Sequence, residues 1–128
     1  VLMHNNSRQF ACKNIFMRAE TDESLITSKM DIGQVIKVPI AHGEGKYFAD
    51  EATIKSLNEN NQVLFRYCDE NGNLSDAANP NGAIDHIAGI CNKNRNVFGM
   101  MPHPERACST ALGNIDGKNV FNHLFGIN

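Results

Sequence analysis

The order of hydrophobic and polar positions along this chain predicts strands separated by polar connections. Dense or alternating apolar patterns typical of strands occupy residues 8–20, 34–41, 62–68, 86–92 and 96–101. In the first of these segments, apolar residues occur on both faces of the predicted strand, so we expect both faces to be packed against other residues for part of its length. Pro39 in the second segment predicts an edge strand or a strand end, because proline cannot donate a ladder hydrogen bond.

Two further segments have the pattern of amphipathic helices. Asp50 is a predicted N-cap for a helix over residues 50–57 that turns Ile54 and Leu57 inward. Asp116 is predicted to cap a last helix, whose apolar face would comprise Val120, Phe121, Leu124 and Phe125. Residues 22–30 are predicted to form a polar connection with at most one helical turn. The elements together predict a mixed sheet with few helices.

Composition and charge exclude several classes of function. The 128 residues are enough for one domain with a buried core, and 41% hydrophobic and 20% charged residues are ordinary for a globular protein. The formal net charge is −2 with no basic block, so we expect no nucleic acid and no membrane as partner. Four cysteines without C-x-x-C spacing indicate free thiols in a reducing compartment, which predicts a cytoplasmic protein.

The most informative chemistry lies at His103 and Glu105. Each of Met101 and His103 precedes a proline, which disfavours the α region and predicts an extended backbone. In an extended segment, residues i and i+2 lie on one side, about 6.5 Å apart at Cα. Glu105 could then accept a hydrogen bond from His103 and orient it as a general base, as in triads of a nucleophile, a histidine and an acid. The alternative is an ordinary loop histidine.

A second candidate is the loop His42, Gly43, Glu44 and Gly45. Glycines on both sides of Glu44 permit backbone angles closed to other residues, so the loop could approach a substrate or a partner. A tight turn with a solvated glutamate is the alternative. A metal site is a third, because the spacing His42-x-Glu44 recurs at His103-x-Glu105. Zinc sites usually use histidine and cysteine at other spacings, so we expect no metal.

The segment GMMPHPER, residues 99–106, resembles the signature that closes the glutaminase domain of phosphoribosylformylglycinamidine synthase, a class I (triad-type) glutamine amidotransferase. Three other stretches agree in the same order: PIAHGEGKYFAD (39–50), NPNGAIDHIAGI (79–90) and GNIDGKNVFNHLF (113–125). Where this family usually has a serine after N-P-N-G, the chain has Ala83.

The resemblance implies an α/β fold of the flavodoxin-like class I amidotransferase type. A doubly wound domain opens with apolar parallel strands, each followed by a helix, and this chain lacks that pattern. Residues 1–128 are therefore expected to be the C-terminal portion of one amidotransferase domain whose N-terminal half is absent. The resemblance also places the loop at residues 42–45 beside the active site.

The resemblance further implies an activity and a partner. The intact protein would hydrolyse glutamine to glutamate and ammonia. A synthase subunit or domain would use that ammonia, with ATP and magnesium, to convert formylglycinamide ribonucleotide to the amidine. The nucleotide and the metal would belong to the synthase, so we expect no cofactor in this chain. His103 and Glu105 would be the catalytic base and its orienting acid.

The nucleophilic cysteine of such a triad is not evident in these residues. Cys91 lies in a near match to the elbow G-x-C-x-G, but Lys93 replaces the second glycine and no helix follows. We expect Cys91 to be a small buried hydrophobe. Cys12 is inside a strand, Cys68 precedes two carboxylates, and Cys108 has no elbow. This stretch alone is expected to be inactive and to self-associate through exposed apolar surface. The alternative is a non-catalytic amidotransferase-like module that docks on a synthase.

Overall fold

A computed structural model describes residues 1–125 of the chain. Within that range the strands are β1 (Leu2–Met3), β2 (Ala11–Ala19), β3 (Val35–His42), β4 (Lys46–Tyr47), β5 (Val63–Cys68), β6 (Ile87–Cys91) and β7 (Phe98–Met100). The α-helices are α1 (Glu51–Glu59) and α2 (Lys118–Phe125), and short 3-10 turns connect several elements. In this described part, neither helix is long and apolar enough to cross a membrane.

Five of the strands form one sheet in the order β3-β2-β5-β6-β7, and each pairing in it is antiparallel. The short strands β1 and β4 pair separately. All residues of β5, the central strand, are buried. The predicted architecture of a sheet with few helices is confirmed.

Most of the core is one cluster against a face of this sheet, and a smaller cluster of Leu57, Val63 and Ile87 packs with α1. Ile15, Met17 and Ala19 alternate inward from β2 and are buried. On the opposite face of β2, Cys12 is exposed and Phe16 is half-buried, with the ammonium of Lys37 5.4 Å from its ring centroid. The expectation that both faces would be covered for part of the strand's length is therefore met at Phe16.

The connection between β2 and β3 also contributes to the core. Ile26 and Met30 are buried, together with the polar residues Ser24 and Thr27. Thr27 donates its N–H to the carbonyl of Ser24 at 3.0 Å, and Met30 donates to Thr27 at 2.8 Å. These turns place two apolar side chains on the same side of an otherwise polar segment. The predicted helical turn does not form an α-helix, and the segment is more buried than its polarity indicates.

Local signals located the helices correctly, with one wrong cap. Asp50 accepts a hydrogen bond from the N–H of Thr53 at 2.7 Å, which confirms the predicted N-cap of α1. In α2, Val120 is buried and Phe125 is exposed, so the predicted apolar face is buried only in part. The prediction that Asp116 caps α2 with its side chain is wrong. Its Oδ2 accepts instead from the N–H of Lys37 in β3, at 3.0 Å.

The chain that follows β7 returns to the far edge of the sheet. His103 donates its N–H to the carbonyl of Pro39 in β3, at 2.8 Å. Three residues from Met100 to His103 can span at most about 10 Å, whereas five strands laid flat are about 19 Å wide. The sheet therefore is not flat but curls, so that the chain after β7 reaches β3, and this curl places His103 beside β3. Pro39 faces the free edge, where its missing N–H breaks no ladder bond, which confirms the edge-strand prediction.

Candidate active site

His103 and Glu105 form the hydrogen-bonded pair that the sequence predicts. The Nδ1 atom of His103 lies 2.7 Å from Oε1 of Glu105. The backbone route differs from the prediction, because Glu105 lies in a 3-10 turn, Pro104–Ala107, and not in an extended segment. Proline suits the first position of such a turn, since that position needs no N–H. The contact is thus confirmed, while the catalytic role of the pair stays a prediction.

The contact with Glu105 determines which nitrogen of His103 can act as a base. An ionised carboxylate only accepts hydrogen bonds, so in the neutral ring Nδ1 carries the proton and Nε2 carries the lone pair. Among the described residues no hydrogen bond engages Nε2. The same oxygen of Glu105 lies 3.6 Å from Nε of Arg106, which supplies a cationic neighbour. This arrangement can take a proton at Nε2 while Glu105 stabilises the resulting imidazolium.

His42, at the end of β3, has a different environment. It is only 6% exposed, and its Nδ1 lies 3.1 Å from Oδ1 of Asn5. That oxygen also accepts from the N–H of Gly45 at 3.1 Å, while the Asn5 amide nitrogen donates to the carbonyls of His42 and Gln9. These bonds determine which end of the Asn5 amide is the oxygen. Because that oxygen only accepts hydrogen bonds, the Nδ1 atom of His42 carries the proton and donates it.

The other ring nitrogen of His42 accepts a longer bond. Its Nε2 lies 3.4 Å from Nδ2 of Asn81, which also donates to the carbonyl of Gly45 at 2.8 Å and to the hydroxyl of Tyr67 at 3.1 Å. Burial lowers the pKa of His42, and the nearby His103 lowers it further. Both observations indicate a neutral ring with its proton on Nδ1.

Together these side chains bind three loops into one unit, which we call the amide platform: residues 5–9, 42–45 and 79–83. Gly45 is needed inside it, because a Cβ there would lie 2.3 Å from Cε1 of His42. Glu44 points outward with its side chain 67% exposed, 3.5 Å from Nδ1 of His4. Of the predicted loop, then, His42 and Gly45 serve the packing, and Glu44 remains available to a substrate or partner.

Ala83 occupies the position where the family that this chain resembles usually has serine, and its hydrogen bonds are made by its backbone N–H. It is buried, and its N–H donates to Oδ1 of Asn81 at 3.0 Å and to Oδ1 of Asn79 at 3.1 Å. The loop geometry at this point therefore depends on the two asparagines and not on a hydroxyl at residue 83.

The metal alternative is not supported by the geometry. It needs His42, Glu44, His103 and Glu105 to converge, but both ring nitrogens of His42 are already hydrogen-bonded and Glu44 is turned to solvent. In the described part of the chain, no three histidine, cysteine, aspartate or glutamate side chains gather where they could hold a metal ion.

The cysteines are poorly placed to act as the nucleophile. Burial raises the pKa of Cys91, and it raises that of Cys68 to about 11. Burial and the charge of Glu105 raise the pKa of Cys108, whose thiol donates to the carbonyl of Pro104 at 3.0 Å. Cys12 is exposed on β2. Among residues 1–125 none of the four hydrogen bonds with His103. That the nucleophile lies outside this chain stays a prediction.

Sequence reasoning missed the two residues that organise the platform. Asn81 enters the sequence analysis only within the stretch at residues 79–90, although N-P-N-G is itself a turn signal. Asn5 carries no local signal, because its partners lie on β3 and the following loop, 37 and 40 residues away.

Comparison with known proteins assigns the chain to a family. Its residues 1–122 match the CobB/CobQ-like glutamine amidotransferase domain. The phosphoribosylformylglycinamidine synthase subunit PurQ of Methanosarcina mazei is 52% identical over 123 residues, which are 96% of this chain and 53% of that protein. The subunit of the same name from Aquifex aeolicus is 47% identical, over 91% of this chain and 51% of that protein.

A solved structure agrees with the assignment. A chain in the structure of PurLQS from Thermotoga maritima superposes with a TM-score of 0.80 at 35% identity, covering 98% of this chain and 51% of that chain. The present chain thus spans about half the length of the curated relatives it matches. With its antiparallel sheet, its histidine–glutamate pair and these matches, the chain belongs to the family of CobB/CobQ-like glutamine amidotransferase domains.

Proposed function

We propose that this chain supplies the general base and its orienting acid to a glutaminase that serves phosphoribosylformylglycinamidine synthase. The observation that carries the proposal is the 2.7 Å contact between His103 and Glu105, within a chain of the amidotransferase family. Relatives 52% and 47% identical are named as a subunit of that synthase, which supports this substrate and partner. The product, ammonia, would pass to the synthase for conversion of formylglycinamide ribonucleotide to the amidine. ATP and magnesium would bind to that partner.

The chemistry follows from the geometry of the pair. A cysteine outside these residues would lose its thiol proton to Nε2 of His103, and its thiolate would attack the amide carbon of glutamine. Ammonia leaves when His103 returns the proton to the amide nitrogen, and a thioester remains. His103 then takes a proton from water, whose oxygen attacks the thioester and releases glutamate and the thiol. Glu105 keeps the proton of neutral His103 on Nδ1 throughout.

The amide platform has a supporting role in this proposal. Its buried bonds hold the loop at residues 42–45 in place at the end of β3, close enough to His103 for the two histidines to interact electrostatically. Glu44 is the exposed charge that this loop offers. We assign Glu44 to contact either the ammonium group of glutamine or a cation on the synthase.

The test is a pair of substitutions in the intact glutaminase assembled with its synthase. His103→Ala should lower glutamine-dependent synthesis by about 100-fold or more, because a general base contributes at least that much. Synthesis from added ammonia should continue at the original rate. Loss of both activities in a folded, assembled complex would contradict the role of His103.

A matched control separates the site from charge effects in general. Glu105→Gln should slow glutamine hydrolysis, because the amide no longer stabilises the imidazolium. Glu59→Gln removes one carboxylate from an exposed position on α1 and should leave the rate unchanged. Equal effects of the two substitutions would argue against the orienting role of Glu105.

A non-catalytic docking module is the second candidate function. In such a module the loop at residues 42–45, whose Glu44 side chain is 67% exposed, would serve only to dock the synthase. This candidate predicts that the intact protein binds the synthase but releases no ammonia from glutamine, which the same assay measures.

We place the activity in the cytoplasm. The support is that all four cysteines are free, as expected of thiols in a reducing compartment. Fractionation of cells that express the intact protein would test this placement.

A further inference from the structure

The segment Asn114, Ile115, Asp116 and Gly117, which we call the clip, lies between the free edge of β3 and the turn that carries Glu105. It belongs to the GNIDG stretch, residues 113–117, and lies outside the His103–Glu105 pair itself. Its contacts run in two directions, and they connect the turn to β3.

One side of the clip holds the edge of β3. Asn114 donates its amide to the carbonyl of Lys37 at 2.6 Å, and Asp116 accepts from the N–H of Lys37 at 3.0 Å. The Asn114 side chain also accepts from the backbone N–H of Asp116 at 3.0 Å, which holds this side chain against the backbone of the clip. His103 bonds to Pro39, two residues further along the same strand. The clip and His103 are therefore anchored on one edge.

The other side of the clip contacts the turn Pro104–Ala107, which carries Glu105. Gly117 donates its N–H to the carbonyl of Ala107 at 2.8 Å. A Cβ on Gly117 would lie 2.0 Å from the carbonyl oxygen of Pro104 and 2.9 Å from that of Ala107. Gly117 is not among the residues with positive φ, so glycine is required here for space and not for conformation. These two carbonyls belong to the first and last residues of the turn that contains Glu105.

We propose that Gly117 is a positioning residue for the His103–Glu105 pair, and this inference rests on the proposed glutaminase function. The Glu105 side chain is 54% exposed, so burial does not hold the carboxylate itself. Its position depends on the turn, whose first and last residues, Pro104 and Ala107, are buried. The backbone contact of Gly117 sets the position of the turn against β3. A side chain at residue 117 would push the turn outward and separate Glu105 from Nδ1 of His103.

The experiment is Gly117→Ala in the intact glutaminase–synthase complex. Displacement of a catalytic group by about 1 Å costs about 100-fold, so kcat for glutamine hydrolysis should fall by roughly that factor. The KM for glutamine and the rate with added ammonia should stay close to those of the original protein. The control is Gly113→Asn, four residues earlier, where no described atom lies within 4 Å of an added Cβ and asparagine tolerates the positive φ of 78°.

A double substitution distinguishes positioning from general damage. If Gly117 acts through Glu105, then Gly117→Ala should cost little further activity in a Glu105→Gln background, because the two changes disturb the same interaction. Additive losses would overturn the proposal, since they would show that Gly117 acts by another route.

A second variant keeps the proposal testable if Gly117→Ala does not fold. Asp116→Ala removes the acceptor for Lys37 at the other side of the clip and should lower kcat in the same direction by a smaller factor. If Asp116→Ala is as active as the original protein while His103→Ala is inactive, the positioning role is overturned and the proposed function is not. Absence of glutaminase activity in the unsubstituted protein would instead overturn the proposed function.

Discussion

His42 and His103 look alike in the sequence, since each precedes a glutamate by two residues, yet their environments are opposite. His103 is partly exposed and bonds to its own glutamate at 2.7 Å. His42 is buried among amides and leaves Glu44 to solvent. The difference follows from depth, because a carboxylate stabilises an imidazolium while burial among neutral amides disfavours it.

This contrast predicts a pH dependence of stability. Because burial lowers the pKa of His42 below 6.5, the unfolded chain binds a proton at a higher pH than the folded chain. The contribution of His42 is fully present above pH 6.5 and is lost as the pH falls through its folded pKa. His42→Gln should weaken this dependence between pH 7.5 and 5.5 in urea unfolding, while the exposed control His4→Gln should not. Equal slopes for His42→Gln and the original protein would contradict the neutral assignment.

Among the elements, a buried ion network joins strands that are far apart in sequence. Arg66 on β5 is only 7% exposed and lies 3.1 Å from Oε2 of Glu20 and 2.7 Å from Oδ2 of Asp85. Burial would raise the pKa of Asp85, but hydrogen bonds from Arg66 and Asn58 lower it below its usual value. These bonds hold Asp85 in a left-handed conformation, with φ of 53°, at the turn before β6.

Removing the arginine should therefore be costly. Arg66→Met leaves Asp85 without its cation and Glu20 with Arg18 alone, which should lower the free energy of unfolding by about 1–3 kcal/mol. Lys55→Met is the matched control, because Lys55 pairs with Glu59 at 3.7 Å on the exposed side of α1. That change should cost less than about 1 kcal/mol in the same urea titration. Similar losses for both variants would show that the network contributes no more than a surface pair.

At the scale of the whole molecule, the curled sheet protects one edge and leaves the other open. The edge of β3 is covered by His103 and the clip. The opposite edge strand is β7, where Phe98 is 39% exposed and the preceding Val97 is 62% exposed. Beside β7 lies an apolar groove of about 310 Å³, lined among others by Leu2, Tyr47 and Met100. An open strand edge beside apolar surface favours pairing with another chain.

We therefore predict that the 128-residue chain self-associates through β7. Its apparent mass in light scattering should rise with concentration, and Phe98→Lys should reduce that rise. Leu112→Lys places the same charge on a different exposed apolar residue and should have little effect. A constant monomer mass at every concentration would contradict the prediction.

The sequence by itself determined the features that depend on neighbouring residues. The central strand β5, helix α1 with its cap at Asp50, and the contact between His103 and Glu105 follow from side-chain period, capping chemistry and short spacing. These are local effects, so a linear pattern can reveal them.

Only the tertiary structure decided which distant groups meet. Asp116 accepts a hydrogen bond from Lys37 of β3 and does not cap its own helix. His42 is hydrogen-bonded to Asn5 and Asn81 in a buried network. Gly117 packs closely against the turn that carries Glu105. Each of these contacts joins residues at least ten positions apart and forms only when the sheet, the loops and the turns pack together. A linear pattern does not encode that closure, since the partners become neighbours only when the whole core is packed.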